Sequence, residues 1–190
     1  MCIDDISSIN YDLQNWSYIA TYIIAFFAAL GSGWAVSEII LMKKRERDRT
    51  IIELMDLIAN KDERANRRKI FLYFKNPERS DLKGRELASY IEHIINIANE
   101  EESRGITTSL FISLKNAIEE TINLYDQVSF VLLKGGRKLR EDVPQWIYRN
   151  LGEMWKYIGS YVELRLEEDE EWAKYYKEVY STMPERFRVF

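Results

Sequence analysis

Few side chains in this 190-residue chain are of a type and spacing that could do chemistry. His93 is the only histidine. At helical steps of three and four its neighbours are Ser89, Tyr90, Asn96 and Ile97, none of them a carboxylate or thiol that could complete a metal-binding face. It lies off the apolar stripe of its segment, so an exposed histidine is expected and not an acid–base catalyst. Cys2 is the only cysteine, which excludes a disulfide framework or a cysteine-based zinc site within one chain. The acidic runs Glu100-Glu101-Glu102 and Glu167-Glu168-Asp169-Glu170-Glu171 point around a helix in several directions and suit solvated faces better than paired catalytic carboxylates. The expectation is a protein with no catalytic residue, no metal and no cofactor, and hence no enzyme.

Two short segments imitate phosphate loops. Gly31-Ser32-Gly33 lacks the strand and lysine of a nucleotide-binding loop and suits close helix packing. Gly135-Gly136-Arg137-Lys138 follows a helical stretch, and the negative end of a helix dipole disfavours an anion there. The basic cluster Arg64, Arg67, Arg68 and Lys69 has three readings: a solvated or ion-paired face, a contact for anionic lipid headgroups, or a nucleic-acid contact with Phe71 and Tyr73 stacking on bases.

The element that must position everything else runs from Trp16 to Met42. No charge occurs between Asp12 and Glu38, about 25 residues, whereas roughly 20 apolar residues suffice to cross the hydrocarbon core of a bilayer. A transmembrane helix is expected over 16–42. Trp16 and Trp34 stand about 27 Å apart along such a helix, so each ring reaches a membrane interface. Glu38 then belongs in the inner headgroup layer, because a carboxylate at mid-bilayer costs a few kcal/mol. A buried helix of a soluble protein and a cleaved signal peptide are the alternatives; Asp4, Asp5 and Asp12 at a start without Lys or Arg oppose the second.

Lys43, Lys44 and Arg45 open a basic run, KKRERDR, and basic residues stay on the cytoplasmic side during insertion. Residues 1–15 are therefore expected outside and 43–190 in the cytoplasm, which also separates Cys2 from His93 and excludes a catalytic dyad between them. All 27 Lys and Arg lie in 43–190, as do 27 of the 31 Asp and Glu. That part is formally neutral, and bulk electrostatics gives no pull toward nucleic acid.

Residues 43–190 suit one domain with its own core. Ile51, Leu54, Met55 and Ile58 recur at helical spacing to near Asn60, and a second helix is expected over 62–75, broken by Pro77. A third, over 82–103, carries Leu87, Ile91, Ile94, Ile95 and Ala98 and stops at Gly105. Thr107 or Thr108 could cap a long fourth helix that ends at Gly135-Gly136. After a short basic loop, Pro144 opens a helix with Trp146, Ile147, Leu151, Met154, Trp155, Ile158, Val162 and Leu166 on one stripe. A last helix uses Trp172, Tyr175, Tyr176 and Val179 and ends by Pro184. The expected class is all-α: one N-terminal transmembrane helix followed by a cytoplasmic helical bundle.

Between Tyr125 and Tyr176 the segments YDQVSFVLLKGGRKL, GEMWKYIGSYVELRLEED and WAKYY resemble an uncharacterised prokaryotic family of helical domains of unknown function with a single N-terminal membrane helix. The matching residues are Tyr125, Gly135, Trp155, Tyr161, Arg165 and Tyr175. The resemblance implies a helical fold and brings no reaction, cofactor or catalytic residue.

Within the span, Ala25, Ala29, Gly33 and Ser37 form a lane of small residues along which a second membrane helix can approach. The sequence thus points to a single-span protein whose cytoplasmic domain is an oligomerising or sensory interaction module. Its expected partners are the lipid bilayer, a second copy of the chain and an unidentified cytoplasmic protein. A membrane-tethered effector facing nucleic acid, such as a phage-defence component, is the alternative.

Overall fold

In a computed structural model the described residues are 4–188; inside the first helix, the side chains of 4–20, 22, 23 and 26–33 lie outside the description. Among the described residues the fold is all-α, with seven α-helices and one short 3-10 turn. The chain divides into two compact units, Met1–Asp48 and Arg49–Phe190.

The first unit belongs to helix α1, Asp4–Ala59, and the expected span lies within that helix. Trp16, Ala29 and Gly33 fall outside the described side chains. Those that are described, Thr21, Ile24, Ala25 and every residue from Trp34 to Met42, are exposed. Ser37 donates its hydroxyl to the Trp34 carbonyl at 2.7 Å, which satisfies it within its own helix. Among the described residues no helix is long and apolar enough to cross a membrane.

The second unit begins with the end of α1, which contributes Leu54 and Ile58 to the core. Asn60 stops α1 by turning extended, and its side chain accepts the Asp62 N–H at 3.1 Å to cap α2, Lys61–Phe74. Helix α3, Gly84–Ser103, starts two residues later than its apolar pattern indicates, since Gly84 sits at φ +54. Its end is a Schellman motif: Gly105 is left-handed at φ +77, Ile106 N–H bonds Glu101 C=O and Gly105 N–H bonds Glu102 C=O, both at 3.0 Å.

Three expectations require correction. Helix α4, Leu110–Lys134, is capped by Ser109 and not by Thr107 or Thr108; Ser109 Oγ accepts the Ile112 N–H at 3.0 Å and donates to Glu101. The stretch expected as a basic loop is helix α5, Gly136–Asp142, because Gly136 at φ +75 turns the chain and Leu139 can then be buried. After α6, Gln145–Glu168, the last α-helix is α7, Lys174–Thr182; Trp172 lies in the turn before it.

Helix α4 is the centre of the bundle, packed against α2, α3 and α7, while α6 packs against α3 and α7. Ile118, Ile122, Tyr125, Val128 and Leu132 on α4 are fully buried, and Ile147, Leu151, Ile158 and Val162 answer them from α6. Gly152 has no room for a Cβ beside the Phe187 carbonyl, so only glycine lets the chain's last turn, Glu185–Phe187, close on α6.

Helix α7 has no cap of its own: Ala173 before it is left-handed at φ 51 and lacks an acceptor side chain. Asp126 of α4 supplies one, its Oδ1 accepting the Tyr176 N–H at 2.9 Å. Asp126→Ala should therefore lower unfolding stability by about 1–2 kcal/mol in urea titration, and Asp126→Asn, which keeps an acceptor oxygen, should retain most of the wild-type stability. Equal stability of wild type and Asp126→Ala would remove the cap from the account.

Candidate functional site

Two polar arrangements stand out in the helical unit. The first is buried where α2 meets α4. Glu63, at 5 % exposure, faces Thr121 and Tyr125 of α4, with Thr121 Oγ1 donating to Glu63 Oε2 at 3.4 Å. Arg67, one turn along α2, brings its Nε to 3.5 Å from Glu63 Oε1, an ion pair without a well-formed hydrogen bond. The guanidinium instead donates to the Ile58 carbonyl at 3.0 Å and so binds the last turn of α1 to α2. Asn66 Nδ2 donates to Glu120 Oε2 at 2.7 Å beside it.

Burial dominates the electrostatics of this cluster. It pushes the Glu63 carboxyl up to about 7, against the opposing pull of Arg67 and the hydrogen bond from Thr121. The Tyr125 hydroxyl, enclosed beside Glu63 and Arg67 without a hydrogen bond of good geometry, is held above its ordinary range, again chiefly by burial. Such a carboxyl can exchange a proton near neutral pH, but at 5 % exposure it lies within a packed helix junction.

The second arrangement is an open cleft of about 540 Å³ between α2, α3, α6 and α7. Phe71 and Phe74 of α2, Trp155 and Tyr157 of α6 and Tyr180 of α7 supply its apolar walls. Trp155 stacks on Tyr180 at 4.5 Å and 12°, and Phe74 on Tyr157 at 6.5 Å and 25°. Gly159 permits the first stack, since a Cβ there would run into the Trp155 indole.

Four cations and one carboxylate line the same cleft: Lys75, Arg79, Lys83, Lys156 and Glu163. Arg79 is fixed by its surroundings. Its Nε donates to Tyr90 Oη at 3.1 Å, one terminal nitrogen donates to the Tyr73 carbonyl at 3.3 Å, and the guanidinium lies 4.1 Å from the Tyr73 ring centre. The Tyr73 and Tyr90 hydroxyls meet at 3.1 Å; burial and this bond push Tyr73 up to about 12. Lys75, Lys83 and Lys156 form no ion pair among the described residues.

The residues singled out by sequence fall elsewhere. His93 is exposed on α3. The acidic runs are solvated and paired, Glu100 with Arg104 at 3.4 Å, Glu102 with Lys115 at 2.7 Å, Glu168 with Arg165 at 2.8 Å and Glu171 with Lys174. Gly135 ends α4, and Arg137 pairs with Glu141 at 2.6 Å. The basic cluster divides: Arg64, Arg68 and Lys69 are exposed, whereas Arg67 turns inward.

Of the residues carrying the family resemblance, Tyr125, Trp155 and Tyr161 are buried in the core, and Tyr175 packs edge-on against Phe130 at 4.9 Å. The buried tyrosine of that pair is Tyr176, not Tyr175. Sequence reading passed over both Glu63 and the cleft. The available signal was Lys75, Arg79 and Lys83, a cation every fourth residue across the break at Pro77. No protein family, curated protein or solved structure matches this chain.

The raised carboxyl of Glu63 has a definite consequence for stability. Between its unfolded value of 4.5 and about 7 the folded chain holds the extra proton, so the associated stability is present at pH 4.5 and is lost as pH rises through 7. Glu63→Gln, which stays neutral, should gain on the wild type between pH 5 and pH 8 by an amount on the order of 2 kcal/mol in urea unfolding. Parallel pH profiles for the two proteins would show that Glu63 titrates normally in the fold.

Proposed function

We propose that this chain is a single-span, membrane-anchored binding protein, with residues 1–15 outside, 16–42 in the bilayer and the helical domain of 43–190 in the cytoplasm as a sensory or oligomerising interaction module. The observation that carries the reading is a run of exposed apolar side chains followed at once by basic ones. Ile39, Ile40, Leu41 and Met42 are each more than half exposed on α1, Trp34 is 71 % exposed, and Lys43, Lys44 and Arg45 come next. The turn 39–42 is apolar on every face, which is stable when something apolar surrounds it, and a bilayer bordered by anionic headgroups suits both halves of this run.

The helical domain supports binding over catalysis. The pair of Glu63 and Arg67 is engaged in joining α1 to α2, and the open cleft has the size and apolar walls of a small-molecule site. A membrane-tethered nucleic-acid effector is less well supported. Arg67 is engaged internally, the Tyr73 hydroxyl is engaged by Tyr90, and Phe71 packs edge-on against Tyr157 at 5.8 Å, so both aromatic residues offered for base stacking already have partners within the domain.

The anchor is tested in intact cells carrying the full chain with a tag after Phe190. The protein should stay in the membrane pellet at alkaline pH, and the tag should resist external protease. Recovery in the soluble fraction would overturn the anchor. Self-association through Ala25, Ala29, Gly33 and Ser37 is tested by membrane crosslinking. Ala29→Ile and Gly33→Ile should each reduce the crosslinked dimer several-fold with insertion preserved; equal crosslinking in all three proteins would rule the lane out.

A further inference from the structure

We propose that the cleft between α2, α3, α6 and α7 binds a small organic anion with a planar aromatic body, of the aryl phosphate class. The inference rests on reading the domain as a binding module and names what it binds. Three observations converge on this chemistry. About 540 Å³ accommodates one ring system with a charged substituent. Trp155 and Tyr180, held parallel at 4.5 Å, give a rigid aromatic wall whose position Gly159 and the core behind it fix before any ligand arrives.

The charge is the third. The domain of 43–190 is formally neutral, yet the cleft gathers Lys75, Arg79, Lys83 and Lys156 against Glu163 alone. Like charges brought together without carboxylate partners repel one another, and a bound anion removes that cost. Arg79 is the best placed to orient it. Tyr73 and Tyr90 hold its guanidinium with two donors used, so the other N–H groups of the fork remain for an oxygen ligand without loss of side-chain freedom. The lysines then add charge from different elements, Lys83 from the segment before α3 and Lys156 from α6.

The test is titration calorimetry of the full chain in a non-ionic detergent with 1-naphthyl phosphate, 1-naphthol and inorganic phosphate, detergent matched throughout. One equivalent of 1-naphthyl phosphate should bind, at least tenfold more tightly than either fragment. The double substitution Lys83→Gln with Lys156→Gln should weaken it at least tenfold, Tyr180→Ala should weaken it severalfold, and Lys138→Gln, outside the cleft, should leave it unchanged; helical circular dichroism verifies that each variant is folded. Equal binding of naphthol and naphthyl phosphate, unmoved by the lysine substitutions, would overturn the anion while leaving a binding cleft. Equal binding of inorganic phosphate and naphthyl phosphate would overturn the aromatic half. Absence of binding by every probe to the folded wild type would overturn the proposal and remove the cleft from the binding-module reading, with the membrane anchor judged separately by its own extraction test.

Discussion

Tyr176 is the side chain on which the helical unit depends. It is fully buried, and its hydroxyl avoids the cost of an unpaired polar group by donating to the Leu151 carbonyl of α6 at 2.8 Å. Its ring meets Tyr125 of α4 at 5.4 Å and Trp155 of α6 at 4.9 Å, both edge to face. Three helices are thereby fixed by one residue through a hydrogen bond and two ring contacts. Both polar arrangements lie against that junction, since Tyr125 borders the Glu63–Arg67 pair and Trp155 forms a wall of the cleft.

The two arrangements use the same kinds of residue for opposite purposes. At Glu63 and Arg67 unlike charges are enclosed at a helix junction, where the Ile58 carbonyl and the Thr121 hydroxyl offset only part of the desolvation. In the cleft like charges are gathered at a surface, where water solvates them until something else does. A helical domain with only one of these would be either a rigid bundle or a basic surface. Together they give a fixed frame around a positively charged recess.

Most of the bundle was legible in the sequence because burial in helices leaves a periodic trace. Leu87, Ile91, Ile94, Ile95 and Ala98 are all buried, and so are Ile147, Leu151, Met154, Trp155, Ile158 and Val162. Gly105 stops α3 in the left-handed conformation that its type suggests. Short elements left less trace. Helix α5 is seven residues long with one buried side chain, too little for a periodicity, and Ser109 gave the same capping signal as its threonine neighbours. Glu63 was illegible for a different reason: in α2 it occupies an ordinary first-turn acidic position, and only α4, more than fifty residues on, makes that position an interior one. The cleft failed the same way, since Lys75, Lys83 and Lys156 each read as surface lysines until three elements bring them to one recess.

The borrowed cap at Asp126 bears on how the domain comes to be folded. Nine residues are too few for α7 to persist as an isolated helix in water, and its first turn has no acceptor within its own segment. Its N-terminal turn is completed only by a carboxylate fifty residues earlier in the chain. Helix α7 is therefore a product of docking and not a preformed piece that docks, and the aromatic wall to which it contributes Tyr180 exists only in molecules whose bundle has already closed. The complete cleft thus belongs to the finished fold alone.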